Sequence, residues 1–222
     1  MNKESYLSFY KQYMDSRVHK NPKTAPTDTA SWENNGIYQL AFLQSEGLLS
    51  QHYLLDYGCG TLSLGNQAIP YLNAERYIGL DLSQKAINAG IQLVGQDLII
   101  KKKAQFIITE TIDFTNIVDK VDYLMAFSVI NHMPLNLVSL FFSKVAGIMS
   151  PKGKIYVTAM IKNKNQPVFR PDSEPTSFQI TWASLQKICE QNNLFIQPII
   201  IKHSGMGQAS LTLFKITKEP LK

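Results

Sequence analysis

Two acidic residues and two glycines have the types and the spacing of a nucleoside-binding site. The apolar run that contains Asp56 is followed directly by Gly58 and Gly60. Glycine suits a turn that passes under a ligand, because such a turn has no room for a Cβ atom and often needs a positive φ. About 20 residues further on, a second apolar run ends in Asp81, whose carboxylate can accept hydrogen bonds from both hydroxyls of a ribose. Together these features predict an adenosine-type ligand; the alternative is that the glycine turn is only a tight strand-to-helix connection.

The same segment argues against a nucleotide that is held by its phosphates. The third glycine of a Gly-x-Gly-x-x-Gly turn is replaced by Ser63, and no Gly-Lys-Ser/Thr segment is present to cradle a triphosphate. Asp56, directly before the turn, would repel a pyrophosphate. It suits a ligand with a cationic end, bound either directly or through the turn and its waters. An NAD-dependent dehydrogenase is therefore the least favoured nucleoside-binding class.

Polar residues that follow the later strands are candidates for contact with a second substrate. Asn131 and His132 follow the fourth predicted strand, the long segment 162–179 follows the fifth, and His203 begins the segment 203–208 after the sixth. Ligands of open α/β sheets bind outside the carboxyl ends of the strands. A neutral imidazole at that edge can accept a proton or orient a hydroxyl or amine, and His132 is the first choice for this role. The alternative is that His132 caps the next helix or bonds a backbone carbonyl.

Short apolar runs alternate with amphipathic helices from residue 53 onward, which is typical of βαβ units. We predict an α/β fold with a seven-stranded, mostly parallel sheet and helices on both faces. Only residues 202–208 separate the last two strands, too few for a crossover helix, so the last strand is expected to be antiparallel. One helix is capped by Ser83, another covers 135–149, and a third starts at Thr181 and buries Trp182. The predicted strands are Tyr53–Tyr57, Tyr77–Asp81, Gln105–Thr109, Tyr123–Phe127, Ile155–Ala159, Phe195–Ile201 and Leu211–Ile216.

Residues 1–50 lack the alternation of apolar runs and helices and predict a helical N-terminal extension. Residues 51–222 are expected to form the body of one domain. Aromatic residues at helical spacing, among them Tyr10, predict an amphipathic helix over 3–14, and a second helix is expected to end near Gly47. The extension could lie over the ligand as a lid, with Tyr10 or Trp32 in contact with it. The alternative is that these aromatic rings pack on the helices that flank the sheet.

Length and composition suit one compact domain, since the chain has 222 residues, 45% of them hydrophobic. No apolar stretch approaches the roughly 20 residues that cross a bilayer, and the first residues lack the apolar core of a signal peptide, so we expect a soluble cytoplasmic protein. Cys59 and Cys189 lie far apart, which suggests neither a disulfide framework nor a cysteine-rich metal site. The net charge of +5 could attract phosphate, but the one lysine run, Lys101–Lys103, falls between predicted elements and is expected to be a solvated loop.

From residue 53 to its end the chain resembles the class I S-adenosylmethionine-dependent methyltransferases, which have a Rossmann-like fold. In that family an Asp-x-Gly-x-Gly turn holds the amino-acid end of the cofactor and an acid after the second strand holds the ribose. Residues 106–112 resemble the segment that encloses the adenine, and 126–132 resemble the strand end under the methionine portion. The cofactor contacts that the resemblance implies are Asp56, Gly58, Cys59, Gly60, Asp81, Leu82, Thr111, Ile112, Phe127 and Ser128.

The chain departs from the family pattern at two places. Leu62 replaces the third glycine of the usual Gly-x-Gly-x-Gly turn, which bears on how closely the backbone approaches the cofactor. Lys152 replaces the first glycine of the turn before the fifth strand, on the far side of the sheet. The antiparallel last strand agrees with the family.

The resemblance implies an enzyme that transfers a methyl group from S-adenosylmethionine. Neither cysteine is placed as a pyrimidine nucleophile, and residues 128–133 supply no acidic metal ligands, so we expect metal-independent O- or N-methyl transfer to a small molecule. Nucleic acid and membrane are not expected as partners. The alternatives are an RNA or protein methyltransferase, which the basic net charge favours, and a non-catalytic protein that binds the cofactor. The expected catalytic residue is His132, and the expected substrate contacts are Tyr10, Trp32, Asn131 and His203.

Overall fold

The computed structural model describes residues 3–20, 29–115, 117, 121–168, 177–199 and 211–220. His203, a predicted substrate contact, lies outside the described residues. The chain forms two compact units, residues 1–111 and 112–222. Both are α/β, and the predicted fold class, with a mostly parallel sheet and antiparallel last strands, is confirmed. In the described part of the chain, no helix combines the length and the apolar character that a membrane crossing requires.

The first unit consists of two N-terminal helices followed by three parallel strands with helical crossovers. Its elements are α1 (Lys3–Lys20), α2 (Thr29–Ser45), β1 (Leu54–Tyr57), α3 (Ser63–Tyr71), β2 (Tyr77–Asp81), α4 (Gln84–Val94), α5 (Gln96–Lys102) and β3 (Gln105–Ile108). The central strand is β2, which pairs in parallel with β1 and with β3. Every residue of β1 and β2 is buried, as expected for parallel strands that are covered on both faces.

The helices of this unit pack as successive right-handed crossovers require. Both crossovers step in the same direction along the sheet, so α3 and α4 lie on one face and contact each other. The predicted cap of α4 is confirmed, because Ser83 Oγ accepts a 3.0 Å hydrogen bond from the amide of Ala86. The N-terminal helices are longer than expected, and α1 packs on α4 while α2 packs on α3.

The prediction of a loop at Lys101–Lys103 is wrong, although Lys101 and Lys103 are exposed to solvent as expected. Gly95, at φ 100°, divides one long helical region into α4 and α5, and the run forms the end of α5. The consecutive apolar residues of α5 carry no helical period, which is why the sequence did not indicate this helix. Lys102 Nζ donates to the main-chain oxygens of residues 70 and 72 at 2.8 and 2.5 Å, and Lys103 Nζ lies 2.6 Å from a carboxylate oxygen of Glu75.

The second unit combines parallel and antiparallel pairing. Its elements are β4 (Val121–Ala126), a 3-10 turn (Ile130–His132), α6 (Leu135–Ile148), β5 (Met149–Ile161), β6 (Gln166–Val168), β7 (Ser177–Ile180), α7 (Trp182–Gln191), β8 (Phe195–Ile199) and β9 (Thr212–Thr217). Strand β5 pairs in parallel with β4 and β7, and β9 lies antiparallel between β5 and β8. The predicted antiparallel pairing of the last two strands is therefore confirmed.

Two predictions for the second unit need correction. The described residues contain nine strands rather than seven, because β6 and β7 form an antiparallel pair inside the segment 162–179. These strands have three and four residues, too few for an alternating pattern to stand out. Trp182 starts α7 as expected, after Thr181 as N-cap, but 37% of the residue stays exposed. Its ring stacks on that of Phe214 with centroids 5.6 Å apart instead of entering the core.

Candidate functional site

The glycine turn after β1 has the backbone geometry that the sequence predicted. Gly58 and Gly60 have φ values of 77° and 51°, in the region that favours glycine. The amides of Gly58 and Cys59 both donate to the carbonyl oxygen of Leu80, at 2.7 and 3.0 Å. The turn is thus tied to the end of β2, and its backbone is left bare of side chains at Gly58 and Gly60.

Leu62 adopts the backbone conformation for which the usual third glycine is suited. Its φ is 63°, so the turn needs a left-handed residue here, and the chain supplies it with a leucine. Leucine in this conformation costs roughly 1–2 kcal/mol. Its side chain is 0% exposed, and burying a leucine contributes about 1.5–3 kcal/mol, which offsets the strain.

The carboxylate of Asp81 holds the turn and the start of α4 together. One oxygen accepts a 2.9 Å hydrogen bond from the amide of Gly60, and the other accepts a 2.8 Å bond from the amide of Ser83. Burial raises the pKa of Asp81, and the hydrogen bonds from main-chain amides counteract that rise. A carboxylate has about four lone-pair sites, and the main-chain amides occupy only part of them, so Asp81 can still accept a hydrogen bond from a ligand hydroxyl.

Asp56 lies below the turn and has a partner that the sequence did not reveal. The hydroxyl of Tyr77 donates a 2.7 Å hydrogen bond to Asp56 Oδ2, and both side chains are buried. The pKa of Asp56 is raised to about 7, mainly by burial; the hydrogen bond from Tyr77 lowers it and the charge of Asp81 adds to the rise. Asp56 therefore titrates near neutral pH, and a nearby cation would favour its charged form.

The two cysteines are buried thiols. Burial raises the pKa of the Cys59 thiol well above its ordinary value, and the carboxylates of Asp81 and Asp56 act in the same direction. Burial also raises the pKa of Cys189, to about 12. Since the thiolate is the nucleophile, neither side chain is suited to covalent catalysis.

Helix α1 lies across the ends of β2 and β3 in the first unit. Asp15 accepts a 2.5 Å hydrogen bond from the hydroxyl of Ser83, and Lys11 forms an ion pair with Glu110. Tyr10 is half-buried on the same helix, and its pKa is raised by burial and by charges that include that of Asp81. The predicted contact of Tyr10 with a substrate stays a prediction.

Helix α2 contacts the glycine turn through Trp32. The indole Nε1 donates a 2.9 Å hydrogen bond to Thr61 Oγ1, and the hydroxyl of Ser63 donates a 2.5 Å bond to the carbonyl of Trp32. Trp32 is 2% exposed, and its contact with a substrate stays a prediction. Gly36 allows this approach, since a Cβ atom there would lie 2.1 Å from the carbonyl oxygen of Ser63.

The loop after β3 is fixed by local hydrogen bonds. The hydroxyl of Thr109 donates to the carbonyl of Thr111 at 2.6 Å and accepts from the amide of Thr111 at 3.1 Å. The amide of Thr109 in turn donates to the carbonyl of Asp81 at 3.2 Å. The predicted adenine-binding residue Thr111 is thereby connected to the end of β2, whereas Ile112 is a buried residue of the second unit.

In the second unit, the chain leaves β4 through a strained turn. Ser128 has a φ of 55°, and its amide donates a 2.7 Å hydrogen bond to the hydroxyl of Thr158, which is buried on β5. Phe127, the other predicted cofactor contact here, is half-buried. Non-glycine residues with positive φ are often found at functional sites, where the surrounding structure holds them.

Asn131 and His132 lie in the 3-10 turn that follows. The turn contacts β5 and β7, Asn131 is buried and His132 is half-buried. Helix α6 begins after Pro134, which is its N-cap residue, so His132 lies two residues before the N-cap position. The structure therefore brings Ser128, Asn131 and His132 together in the second unit, and Asp56, Gly58, Gly60 and Asp81 together in the first.

Sequence reasoning missed several residues that support these two clusters. A glycine inside a helical segment is a usable signal of close packing, and Gly36 could have been found in that way. Tyr77, Thr158 and Asp15 carried no local signal, because each meets its partner only through the tertiary fold.

A strand, a glycine turn and a carboxylate at the end of the next parallel strand define a Rossmann-like protein of the nucleoside-binding class. Comparison with known families makes this more specific, since the family model described as methyltransferase domain matches residues 49–212. The chain belongs to this methyltransferase family. The predicted resemblance to class I S-adenosylmethionine-dependent methyltransferases and the prediction of an enzyme are thereby confirmed.

Solved structures support the fold over nearly the whole chain. Magnesium protoporphyrin IX methyltransferase from Synechocystis PCC 6803 with bound SAM (S-adenosylmethionine) has a TM-score of 0.72 at 15% identity, and the match covers 99% of this chain and 98% of that one. The DhpI–SAH complex has a TM-score of 0.65 at 14% identity, over 99% and 98%. The glycopeptide N-methyltransferase MtfA complexed with SAM has a TM-score of 0.62 at 9% identity, over 84% and 94%. No curated protein matches the sequence significantly.

Proposed function

We propose that the protein binds S-adenosylmethionine and transfers the methyl group, without a metal ion, to an oxygen or nitrogen atom of a small molecule. The observation that carries this proposal is the carboxylate of Asp81, which Gly60 and Ser83 hold in place at the end of β2. Structures with this fold have been solved with bound SAM or SAH, and one such protein is named a glycopeptide N-methyltransferase.

The residues of the first unit fit the cofactor in shape and charge. The bare backbone at Gly58 and Gly60 would lie against the amino-acid end, and the free lone pairs of Asp81 would accept the ribose hydroxyls. Asp56 would complement the positive charge of the ligand from below the turn. Thr111, Ile112, Phe127 and Ser128 are the further contacts that the family pattern assigns. The cofactor would supply a methyl group on a good leaving group, so the protein's task is mainly to position the reactants and to exclude water.

On the acceptor side we assign His132 as the base or orienting group, and Tyr10, Trp32, Asn131 and His203 as contacts. The His132→Ala variant is expected to lower turnover while the affinity for SAM stays within a few-fold, because the imidazole acts on the acceptor alone. Initial rates with a confirmed acceptor, together with calorimetric SAM binding, check this. Unchanged turnover would remove His132 from the mechanism.

The first test is calorimetric titration of the protein with SAM and with SAH, with NADH as the negative ligand. Asp81→Ala should weaken SAM binding by about 1.5–3 kcal/mol, the value of a hydrogen bond to a charged group. Asp81→Asn keeps one acceptor oxygen and should lose less. Asp97→Ala, at an exposed acid on α5, is the matched control and should bind as the wild type does. SAM affinity that is indifferent to Asp81, or binding of NADH instead, would contradict the proposal.

The alternative of an RNA methyltransferase rests on the basic net charge of the chain. Two of the three lysines in the run at the end of α5 make contacts within the first unit, to main-chain oxygens and to Glu75. A basic patch for RNA needs lysines that are available to phosphates. RNA binding that falls steeply with salt, and that disappears when Lys101, Lys102 and Lys103 are neutralised, would restore this alternative.

A further inference from the structure

The buried hydroxyl of Tyr77 has no role in the proposed function so far. Tyr77 begins β2 and is 2% exposed, and its ring packs edge-on against that of Phe106 with centroids 6.2 Å apart. A phenylalanine ring would serve this packing equally well. Burying a hydroxyl is unfavourable unless it is paired, and here it donates its 2.7 Å hydrogen bond to Asp56 Oδ2. The hydroxyl therefore acts on the carboxylate of Asp56.

Three elements of the first unit fix this hydrogen bond. Tyr77 lies opposite Leu54 in the parallel register of β1 and β2, so Asp56, two residues further along β1, projects from the same face of the sheet. Helix α3 leaves the space for the hydroxyl at Gly65, where a Cβ atom would lie 2.8 Å from Tyr77 Oη and 3.2 Å from Cζ. The orientation of the Asp56 carboxylate is thus set by the sheet register and by the packing of α3.

The donor to Asp56 is neutral, which leaves the negative charge of the carboxylate available to a ligand. Among the described residues, the groups that shift the pKa of Asp56 are Tyr77 and Asp81, and neither is basic. Cys59, a third titratable group beside it, has a pKa raised well above its ordinary value and stays a neutral thiol. A lysine or arginine at this place would neutralise the carboxylate, whereas a tyrosine orients it and favours its charged form. The pair therefore suits a ligand that brings its own cation.

We propose that Tyr77 is a positioning residue for cofactor binding: its hydroxyl holds the Asp56 carboxylate in its charged form, and that charge favours the ammonium group of SAM at neutral pH. This assignment rests on the proposed methyltransferase function and adds that the affinity for the cofactor depends on pH. Since the pKa of Asp56 is about 7, about half of the carboxylates are charged at pH 7. Loss of the hydrogen bond would raise this pKa, and a rise of about 1 lowers the charged fraction about fivefold at pH 7 but hardly at pH 9.

The test measures the dissociation constant of SAH, which has the same amino-acid end as SAM, by calorimetry from pH 6 to pH 9. The ratio of the constants for Tyr77→Phe and the wild type cancels the titration of the ligand's own amino group. This ratio should be about three to five at pH 7 and return to within about twofold of one at pH 9. In an Asp56→Asn background, Tyr77→Phe should leave the affinity unchanged at every pH. Tyr71→Phe, which removes a 2.9 Å hydrogen bond to the carbonyl of Leu48, is the matched control and should bind as the wild type does.

A second ligand and a second variant separate positioning from a general structural role. Methylthioadenosine has the nucleoside but no amino-acid end, so its affinity should not differ between Tyr77→Phe and the wild type. Gly65→Ala crowds the hydroxyl without removing it and should shift the pH profile for SAH in the same direction, which serves as the test should Tyr77→Phe fail to fold. A ratio that does not change with pH, or an equal loss for methylthioadenosine, would overturn the assignment. Failure of the wild type to bind SAM and SAH at any pH would instead overturn the proposed function.

Discussion

At the scale of single residues, the first unit depends on two buried carboxylates with different surroundings. Asp81 is held by main-chain amides, and Asp56 by a single hydroxyl. Both have a raised pKa because burial disfavours the charged form. The bottom of the glycine turn is therefore sensitive to pH and to the charge of whatever binds above it.

The first prediction concerns Asp56. Its pKa is about 7 in the folded protein against an ordinary 3.8, so between these values the folded state binds more protons and stability falls as pH rises. The slope approaches about 1.4 kcal/mol per pH unit in that window. Asp56→Asn keeps an acceptor for Tyr77 and removes the titration, so its advantage in unfolding free energy over the wild type should grow from pH 5 to pH 7. Urea unfolding at three pH values measures this, and parallel pH curves for the two proteins would refute it.

At the scale of elements, helix α2 packs closely on the segment that follows the glycine turn. Helix α2 approaches the start of α3 at Gly36, where a Cβ atom would lie 2.1 Å from a carbonyl oxygen. In contrast, a Cβ atom at Gly147 on α6 would meet nothing within 4 Å. The two helical glycines therefore form a matched pair.

The second prediction uses this pair. Gly36→Ala should destabilise the protein by about 1–3 kcal/mol or more, because backbone atoms of α2 and α3 must separate. Gly147→Ala should instead stabilise it by up to about 1 kcal/mol through helix propensity. Chemical denaturation of both variants checks the opposite signs. An unchanged unfolding free energy for Gly36→Ala would mean that the distance between α2 and Ser63 is greater than in the structure.

Much of the element pattern was predictable because it is local. Strands β1 and β2 are short apolar runs with an acid at or next to the last residue, and the caps at Ser83 and Thr181 lie next to their helices. Strands β6 and β7 could not be predicted, since three and four residues are too few for a period to emerge. The partner of Asp56 is 21 residues away on β2, so this hydrogen bond depends on sheet register rather than on any local pattern.

At the scale of the whole molecule, the chain distributes its candidate residues over two compact units. The first holds the glycine turn and its acids, together with the helices that cover them, and the second holds Ser128, Asn131 and His132.

The third prediction concerns the stability of the entire protein. SAM at about 100 times its dissociation constant should stabilise the folded state by about 2.7 kcal/mol, because it binds only that state. For a chain of this length, that corresponds to a rise in melting temperature of about 5–10 °C. Thermal unfolding with SAM, SAH and NADH measures the effect. A rise with NADH and none with SAM would assign the protein to a different cofactor class.

The buried cysteines have a practical consequence for fluorescence experiments. With a pKa of about 12, Cys189 is ionised in roughly one of 10⁵ molecules at pH 7. The pKa of Cys59 is also raised well above its ordinary value. The native chain should therefore react very slowly with maleimides while it is folded. A single cysteine introduced at the exposed Ser8 on α1 would carry a dye selectively, without removal of either native thiol. Such a label would report directly on whether α1 moves when SAM binds.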